Sequence, residues 1–507
     1  MTVTGSVETC DPLRILFISD WQIASHVYEG LVGYKKNTAE LQSLLALKWE
    51  EKENGLRYIF TLRKNIYFHD DPCFENGQGR QLTAQDVIYT FERLARYADE
   101  CPNWYLLAGK IEGITDFAQG RTNAISGIRI LNNNRIEFRL TKSFATFLKI
   151  LASPITYIIP QEAVEYYGEN FAYHPVGTGP FRLVLWKPLQ ELQLIKHERY
   201  WRKGADKSAL PKLDALHITL KSDAAAVFSE FISGENYLFC VVNKLTGSLV
   251  KTLPQPERYT TIRAPLGLIT RFFGFSLQSD SPFAKNPELI KAAALSFDRN
   301  QIIDVEQTNL VFPAESMVPP FFLRTNSANW YNYDISAAQD IVKQYQHKKI
   351  RAMSNVDGED VQGLVKGLRS AGFDVELDIQ KTNYFQSIQQ EQPDLFRVAF
   401  APGFPDPEEY YSLFYSKSSE EVNIFGYKNP TFDELFESAL VEHDPEMRRD
   451  LFLEMEKVLK NDVPILYISH SKPHDYLIPD FVQGLTFHFL LLDFSEVTLE
   501  NVDEKSY

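Results

Sequence analysis

The chain has 507 residues, 44% of them hydrophobic and 23% charged. This predicts a globular protein with two or three domains, because a single core rarely grows beyond about 300 residues. The formal net charge of −15 argues against nucleic acid or an anionic membrane surface as the main partner. No apolar run approaches ~18 residues, so the sequence predicts no segment that spans a membrane.

The N-terminal segment, Met1 to Glu8, has neither the basic nor the apolar region of a signal peptide. The chain is therefore either a cytoplasmic protein or one whose export signal has been removed. Further on, the pattern predicts a helix from Trp21 to about Tyr28, with Asp20 as its N-cap and Gly30 beyond its end.

Strand and helix patterns alternate between residues 37 and 150. An Asn54-Gly55 turn precedes an alternating strand from Leu56 to Leu62. Thr83 is the predicted N-cap of an amphipathic helix, and Ile128 to Leu140 predicts a hairpin. The sequence His69-Asp70-Asp71 could hold a metal, but no second ligand lies at helical or hairpin spacing. We therefore predict a solvated acidic turn there.

The cysteines lack the CxxC spacing of a zinc site. Two of the four, Cys73 and Cys101, lie in loops that contain proline. They either form a disulfide in an oxidising compartment or remain free thiols. The other two are Cys10 and Cys240.

Residues 174–181, His-Pro-Val-Gly-Thr-Gly-Pro-Phe, are named here the glycine turn. Its two prolines exclude a helix, and its two glycines permit a positive φ or the close approach of another backbone. An alternating strand follows from Phe181. No Gly-Lys-Ser/Thr follows, so the segment is not a phosphate-binding loop. By itself it predicts a rigid turn that leads into a strand.

The second half of the chain changes from mixed patterns to a regular α/β alternation. Leu216 to Leu220 predicts a strand, and Ala224 to Ser233 predicts a helix followed by Gly234. Between residues 349 and 400 the alternation is typical of an open α/β sheet. The predicted strands there are Lys349 to Met353, Phe373 to Ile379, Leu395 to Ala401 and later Pro464 to Ile468, and the helices are Val361 to Leu368 with Gly372 as cap, Tyr384 to Gln390, Asp433 to Val441 and Pro445 to Lys460.

Several short motifs occur around the glycine turn in a fixed order. They are Tyr58 to Arg63, Ile66 to Asp70, Leu82 to Val87 and, after the turn, Glu198-Arg199-Tyr200-Trp201. This ordered set resembles the extracellular solute-binding proteins of the dipeptide, oligopeptide and nickel-binding family, which are the capture subunits of ABC importers. The N-terminal Asp11-Pro12 with Tyr28 to Leu31, and the later Asp298 to Ile303, also resemble the family. The resemblance covers nearly the whole chain.

The resemblance implies an α/β fold of the periplasmic-binding-protein type (class II, cluster C), with two α/β lobes around a cleft and an inserted extra domain. Lobe I would comprise residues 1–36, 151–264 and 470–507. The inserted domain II would be residues 37–150, and lobe III residues 265–469. The hinges would lie near residues 264 and 470.

The strand Phe396 to Phe400 runs into a stiff loop, Ala401 to Pro407, and ligands of open α/β sheets bind beyond such strand ends. The resemblance implies an aspartate in this loop that pairs with the α-ammonium group of a peptide. This chain has Gly403 at that position, while Asp406 resembles a family feature with a structural role. A buried ammonium group needs an anionic partner. Gly403 therefore favours a sugar, a metal chelate or another small polar solute over a peptide held by its amine.

The remaining candidates are aromatic platforms and arginines. Arg397 aligns with an arginine of some peptide-binding relatives, and it could bind a carboxylate bidentately or form a structural ion pair. Arg271 follows the predicted crossing between the lobes. The full candidate set for ligand binding is Trp21, Trp104, Tyr105, Arg271, Tyr384, Arg397, Phe400, Gly403, Phe404 and Asp406.

These observations predict an extracytoplasmic binding protein, periplasmic or on the outer face of the cell membrane. It would capture a peptide or a similar small polar solute by lobe closure and deliver it to an ABC permease. The alternatives are an oligosaccharide or metal-chelate binder, a hydrolase that acts on such a ligand, and a regulatory or chaperone-like variant. No serine-hydrolase, zinc-protease or Walker motif is present, so we expect no enzyme. We expect a monomer without cofactor or nucleic acid, in contact with the membrane only through the permease or a lipid anchor.

Overall fold

The computed structural model describes residues 2–4, 7–221, 223–241, 244–278, 280–300, 310–323, 332–346, 349–381 and 384–500. The chain divides into two compact units. Unit 1 comprises residues 1–265, 403–405 and 474–507, and unit 2 comprises residues 266–402 and 406–473. The four cysteines are free thiols. Within the described residues, no helix is long and apolar enough to cross a membrane.

Strands occur throughout both units. In chain order they are β1 (Thr2–Thr4), β2 (Val32–Tyr34), β3 (Leu41–Ser43), β4 (Ala46–Lys52), β5 (Arg57–Leu62), β6 (Ile128–Asn132), β7 (Arg135–Arg139), β8 (Phe181–Lys187), β9 (Glu191–Lys196), β10 (Ala215–Lys221), β11 (Phe239–Val241), β12 (Tyr259–Arg263), β13 (Thr270–Phe275), β14 (Val311–Pro313), β15 (Lys349–Ser354), β16 (Asp374–Ile379), β17 (Leu395–Phe400), β18 (Ile465–Ser471), β19 (Asp475–Pro479), β20 (Val482–Gln483), β21 (Thr486–His488), β22 (Leu491–Asp493) and β23 (Thr498–Leu499).

The α-helices range from one turn to five. They are α1 (Ile18–Val27), α2 (Ala84–Arg96), α3 (Ile114–Ala118), α4 (Phe147–Ile150), α5 (Gln161–Tyr167), α6 (Ala224–Ile232), α7 (Lys244–Val250), α8 (Pro282–Lys285), α9 (Pro287–Leu295), α10 (Ile335–Val342), α11 (Glu359–Ala371), α12 (Tyr384–Glu391), α13 (Pro407–Tyr411), α14 (Pro430–Val441) and α15 (Pro445–Asp462).

Unit 1 contains several small sheets. One has the strand order β1–β10–β9–β8, in which β8, β9 and β10 pair antiparallel and β1 pairs parallel to β10. A second, with the order β4–β5–β7–β6, is antiparallel and lies within residues 46–139. A third has the order β11–β19–β12. Helix α1 contacts β8 and β22, which brings three distant parts of the sequence together. The assignment of residues 37–150 to a separate domain stays a prediction.

Unit 2 is built on one mixed sheet with the order β14–β18–β13–β17–β15–β16. Strands β15, β16 and β17 pair in parallel, and α11 connects β15 to β16 as a βαβ unit. The apolar face of α11 lies in the core of unit 2 through Val361, Leu364 and Leu368. Gly372 ends this helix with a left-handed φ of 103°, as the sequence predicts.

Most predicted elements are confirmed, and the errors are instructive. Thr83 forms a capping box with Asp86 at the start of α2, and the predicted hairpin is β6–β7. The predicted cap at Asp20 is wrong. Helix α1 begins earlier, at Ile18, and the Asp20 carboxylate instead accepts a hydrogen bond from the Glu8 backbone N–H at 2.8 Å. Of the predicted motif at 298–303, residues 301–303 lie outside the described residues.

Candidate functional site

The glycine turn contacts the end of α1 through its backbone. A Cβ atom on Gly177 would lie 2.1 Å from the carbonyl oxygen of Val27, and one on Gly179 would lie 2.6 Å from that of His26. The Gly179 N–H donates to the Val27 carbonyl at 2.9 Å. Both positions therefore need glycine because another backbone approaches closely. This is one of the two explanations for the glycines that the sequence left open.

Two buried histidines hold the other side of the glycine turn. A ring nitrogen of His69 lies 2.9 Å from the carbonyl oxygen of Gly179, and one of His197 lies 3.1 Å from the same oxygen. The prediction of a solvated acidic turn is therefore wrong for His69, which is 1% exposed. Its neighbour Asp70 is exposed and pairs with Arg199. Within the residues that the structure describes, no three His, Cys, Asp or Glu side chains form a metal site.

Glu29 is the central buried carboxylate of this region. It follows α1 and accepts hydrogen bonds from the Thr178 hydroxyl at 3.0 Å, the Tyr200 hydroxyl at 3.0 Å and the Trp201 indole N–H at 2.9 Å. Burial raises the pKa of Glu29, and these hydrogen bonds together with Arg202 oppose the rise. The carboxylate therefore links α1, the glycine turn and the Tyr200-Trp201 motif into one framework.

A cavity of about 90 Å³ lies beside this framework, with every lining residue in unit 1. Gly33 and Gly403 are among the lining residues, so bare backbone forms part of the wall. Aliphatic side chains of the segment 490–492 add to it. The aromatic lining residues are Trp21, Tyr28, Tyr34, Tyr157, Tyr200 and Phe489. Such an apolar wall with few polar groups is typical of a small-molecule site.

A side-chain contact between His488 and Asp493 closes one side of the cavity. The two His488 ring nitrogens lie 2.8 Å from the Tyr34 carbonyl oxygen and 2.9 Å from the Asp493 carboxylate. Both partners only accept hydrogen bonds, so both contacts form only when the ring carries two protons. Although burial opposes its charge, hydrogen bonds from His488 and Ser495 hold the pKa of the Asp493 carboxyl below its ordinary value. His488 therefore holds the Asp493 carboxylate at the cavity wall.

Arg202 supplies the guanidinium group of the cavity wall. Among the described residues, no carboxylate oxygen lies within 4.0 Å of its nitrogens. Burial opposes its charge, but Tyr200, Asp493 and Glu29 together hold the pKa of Arg202 above its ordinary value. The guanidinium therefore stays charged next to an aromatic wall.

Two of the sequence-predicted site residues meet in this cavity, namely Trp21 and Gly403. Phe404, next to Gly403, is fully buried, and the carbonyl oxygen of Pro405 accepts a hydrogen bond from the Lys149 ammonium group at 3.3 Å. Trp104 and Tyr105 begin a short 3-10 helix, are half-buried and are not lining residues of the cavity.

The other sequence-predicted residues belong to unit 2, where several have structural partners. Arg397 is buried and pairs with Asp360 at 2.6 Å, which is the structural alternative that the sequence left open. The Tyr384 hydroxyl donates to the carbonyl oxygen of Arg397 at 2.7 Å. Half-buried Phe400 contacts the ring of Tyr410, with centroids 5.3 Å apart. Half-buried Arg271 lies on β13.

Asp406 has two structural roles. It caps α13 through the Glu408 backbone N–H at 3.0 Å, and both of its carboxylate oxygens pair with Arg448 at 2.8 Å. This agrees with the structural role that the resemblance implies. Its carboxylate is already occupied by a guanidinium group, so Asp406 is a poor substitute for the aspartate that Gly403 replaces.

Sequence reasoning missed most of the cavity. Glu29, Arg202, His488 and Asp493 were not among the candidates, although Glu29 and Trp201 both stand in the quoted motifs. A glutamate inside the otherwise apolar segment 27–32 is a signal that could have identified Glu29, because buried carboxylates need partners. His488 and Asp493 have no comparable local signal.

The comparisons with known proteins agree with the resemblance. The family described as "Bacterial extracellular solute-binding proteins, family 5 Middle" matches residues 40–421. The "Peptide transport periplasmic protein SapA" of Salmonella typhimurium is 24% identical over 491 residues, covering 92% of this chain and 86% of that protein. The "Heme-binding protein A" of Haemophilus influenzae is 24% identical over 467 residues, covering 88% and 82%.

A solved structure shows the fold. It is the "ABC transporter-associated periplasmic binding protein DppA from Helicobacter pylori in complex with peptide STSA". It is 21% identical, has a TM-score of 0.83, and covers 99% of this chain and 98% of that chain. The expected α/β fold of the periplasmic-binding-protein type is thereby confirmed.

Proposed function

Because the chain belongs to the bacterial extracellular solute-binding proteins of family 5, we propose that it captures a peptide or a similar small polar solute for an ABC importer. The observation that carries this proposal is the aromatic cavity of unit 1, where Trp21 and Gly403 meet. Its wall is mostly apolar, with a few fixed polar groups, and such a wall binds small solutes with little reorganisation. The names of SapA and of the DppA complex refer to peptides, and this supports the peptide class.

The residues of the cavity indicate which class of solute could bind. The cavity offers rings that suit an apolar or aromatic side chain, and a backbone wall at Gly403 instead of a carboxylate. A peptide would therefore be bound without an anionic partner for its amine at that position. An oligosaccharide or a metal chelate would use the same rings, and binding of those alone would redirect the proposal.

Binding without chemistry is the expected mode of action. The family and the Haemophilus influenzae relative are named for binding. A solute that binds should be recovered unchanged after long incubation, as mass spectrometry of the released ligand would verify. Cleavage of the solute would support the hydrolase alternative.

We place the protein on the extracytoplasmic side of the membrane, as a monomer that meets the bilayer through a permease or a lipid anchor. Capture would proceed by closure of the predicted lobes, with the solute shifting the population of open and closed forms. Small-angle scattering with and without solute measures this directly. An unchanged radius of gyration at saturating solute would contradict closure.

A thermal-shift screen followed by calorimetry tests the proposed function. The ligands are di- to pentapeptides, oligosaccharides and metal chelates, each at several concentrations, because a ligand of the native state raises Tm once its concentration exceeds Kd. We expect peptides to raise Tm. The matched variant Gly403→Asp adds a carboxylate at the cavity, and it should improve binding of peptides that have a free amine. No shift with any ligand of the screen would refute the proposal, and a shift with oligosaccharides or chelates alone would redirect it to that solute class.

A further inference from the structure

The hydrogen-bonding groups of the unit 1 cavity are unevenly satisfied. The Glu29 carboxylate already accepts three hydrogen bonds, and that of Asp493 accepts from His488 and from the Ser495 backbone N–H at 2.9 Å. Glu29 therefore has little capacity left for a ligand, and Asp493 is already paired with His488. A solute that needs a carboxylate partner, such as a free ammonium group, would find none unoccupied among these two.

Arg202, in contrast to these carboxylates, has hydrogen-bond donors that remain available. A guanidinium group has five N–H donors. Within the described residues, no carboxylate lies within 4.0 Å of them. One donor is directed at the Tyr200 hydroxyl oxygen, whose own proton is donated to Glu29, so the remaining donors are available to a ligand. A charged fork with unused donors in a largely apolar wall is suited to a planar anion, since guanidinium binds carboxylate through two parallel hydrogen bonds.

The position of Gly403 is consistent with this reading. The family resemblance implies an aspartate there, which would place a negative charge at the cavity wall. Here the wall has bare backbone at that place and a guanidinium group elsewhere. The wall at position 403 therefore offers no carboxylate to an ammonium group.

We infer that the solute binds with a carboxylate group on Arg202 and an apolar or aromatic body against the rings of the cavity. This inference rests on the proposed function for the location of the site, and it adds the chemical class of the bound group. In a peptide, the group would be the C-terminal carboxylate of an apolar residue. The amine of such a peptide would make no essential contact at Gly403.

Calorimetry with matched probes tests this inference. The peptide probes are Ala-Phe, its C-terminal amide and its N-acetyl derivative, and the simpler probes are 3-phenylpropanoate and 3-phenylpropanamide. Because charge-assisted hydrogen bonds are roughly twice as strong as neutral ones, amidation should weaken binding about 10-fold or more. Acetylation of the amine should change Kd by less than about 3-fold. In Arg202→Gln, the free acid and the amide should bind equally.

Two variants keep the test independent of folding. Arg199→Gln removes a positive charge three residues away, from a guanidinium group that pairs with Asp70 and is not part of the cavity wall. The Arg199→Gln variant should still bind the free acid more tightly than the amide. Arg202→Lys keeps the positive charge and should retain part of this preference for the acid. Circular dichroism and Tm establish that each variant is folded.

The outcomes separate the inference from the proposed function. Peptides that bind with equal affinity as acids and amides would overturn the inference and leave the function standing. Phenylpropanoate that binds only with Arg202 intact, while no peptide binds, would support the inference and refute the peptide class of the proposed function. If no carboxylate probe shows dependence on Arg202, the inference is wrong.

Discussion

Replacement of His26 by leucine should make unit 1 less sensitive to acid. His26 is buried between the rings of Phe181 and Phe494, with centroids 6.0 and 5.3 Å away. Burial lowers the pKa of His26 from 6.5 to about 4, with Asp493 opposing the change and His488 adding to it. In the unfolded chain the ring returns to about 6.5. The native state therefore binds fewer protons than the unfolded state between these two values.

The sign and size of the change in unfolding free energy with pH follow from proton linkage. Stability from His26 is fully present above pH 6.5 and declines as the pH falls towards 4. Between about pH 7.5 and pH 5.0 the loss is about 2 kcal/mol. His197, whose pKa burial also lowers to about 4, loses a similar amount. Asp20 acts in the opposite direction, because burial raises its pKa to about 7, so protonation stabilises the fold on acidification by about 2.5 kcal/mol.

Because these groups act in opposite directions, the pH dependence of wild-type stability alone is a poor test. The quantity to measure is the difference in pH dependence between wild type and His26→Leu. Urea unfolding of wild type and His26→Leu is followed by tryptophan fluorescence at about pH 7.5 and about pH 5.0. This signal reports mainly on unit 1, which contains five of the six tryptophans (Trp21, Trp49, Trp104, Trp186 and Trp201). Acidification should cost the variant about 2 kcal/mol less than it costs wild type. Equal pH dependence in the two proteins would refute the reasoning.

Two substitutions test other parts of the account. Asp406→Asn should lower the stability of unit 2 by about 1.5–3 kcal/mol in urea unfolding, because it removes the two charged hydrogen bonds to Arg448 and leaves that guanidinium group only the Glu408 carboxylate at 3.6 Å. Lys457→Gln, at an exposed ion pair, is the control and should cost less than about 1 kcal/mol. Gly177→Ala should cost about 1–3 kcal/mol and also weaken solute binding, because its Cβ would displace the Val27 carbonyl at the end of α1. Wild-type stability or wild-type solute affinity in Gly177→Ala would contradict the close contact between residue 177 and the Val27 carbonyl oxygen.

Local chemistry explains what the sequence predicted well. The α11 helix has its apolar residues at helical spacing and a glycine at its left-handed end, so pattern and cap agree. The capping box at Thr83 is likewise complete within four residues. The βαβ alternation after residue 349 follows from the same short-range signals, and these fix the parallel strands of unit 2.

Long-range partners explain what the sequence did not predict. The three donors to Glu29 lie 149, 171 and 172 residues further along the chain. Asp20 is an excellent cap residue by type, yet its carboxylate is bound by a backbone N–H twelve residues earlier. The sequence allowed Arg397 either to bind the ligand or to form a structural ion pair. Only the position of Asp360 in the fold distinguishes these two roles. Such choices depend on tertiary contacts that leave no spacing in the sequence.

The central claim is that the solute binds in the unit 1 cavity beside Trp21. Fluorine NMR of the protein labelled with 5-fluorotryptophan tests it most directly, with the Trp21 signal assigned from Trp21→Phe. The probe is the peptide that raises Tm most in the screen. The account predicts a saturable shift of the Trp21 signal, while Trp49, on β4 and outside the cavity wall, stays unchanged. Saturable binding that leaves the Trp21 signal in place would contradict the account.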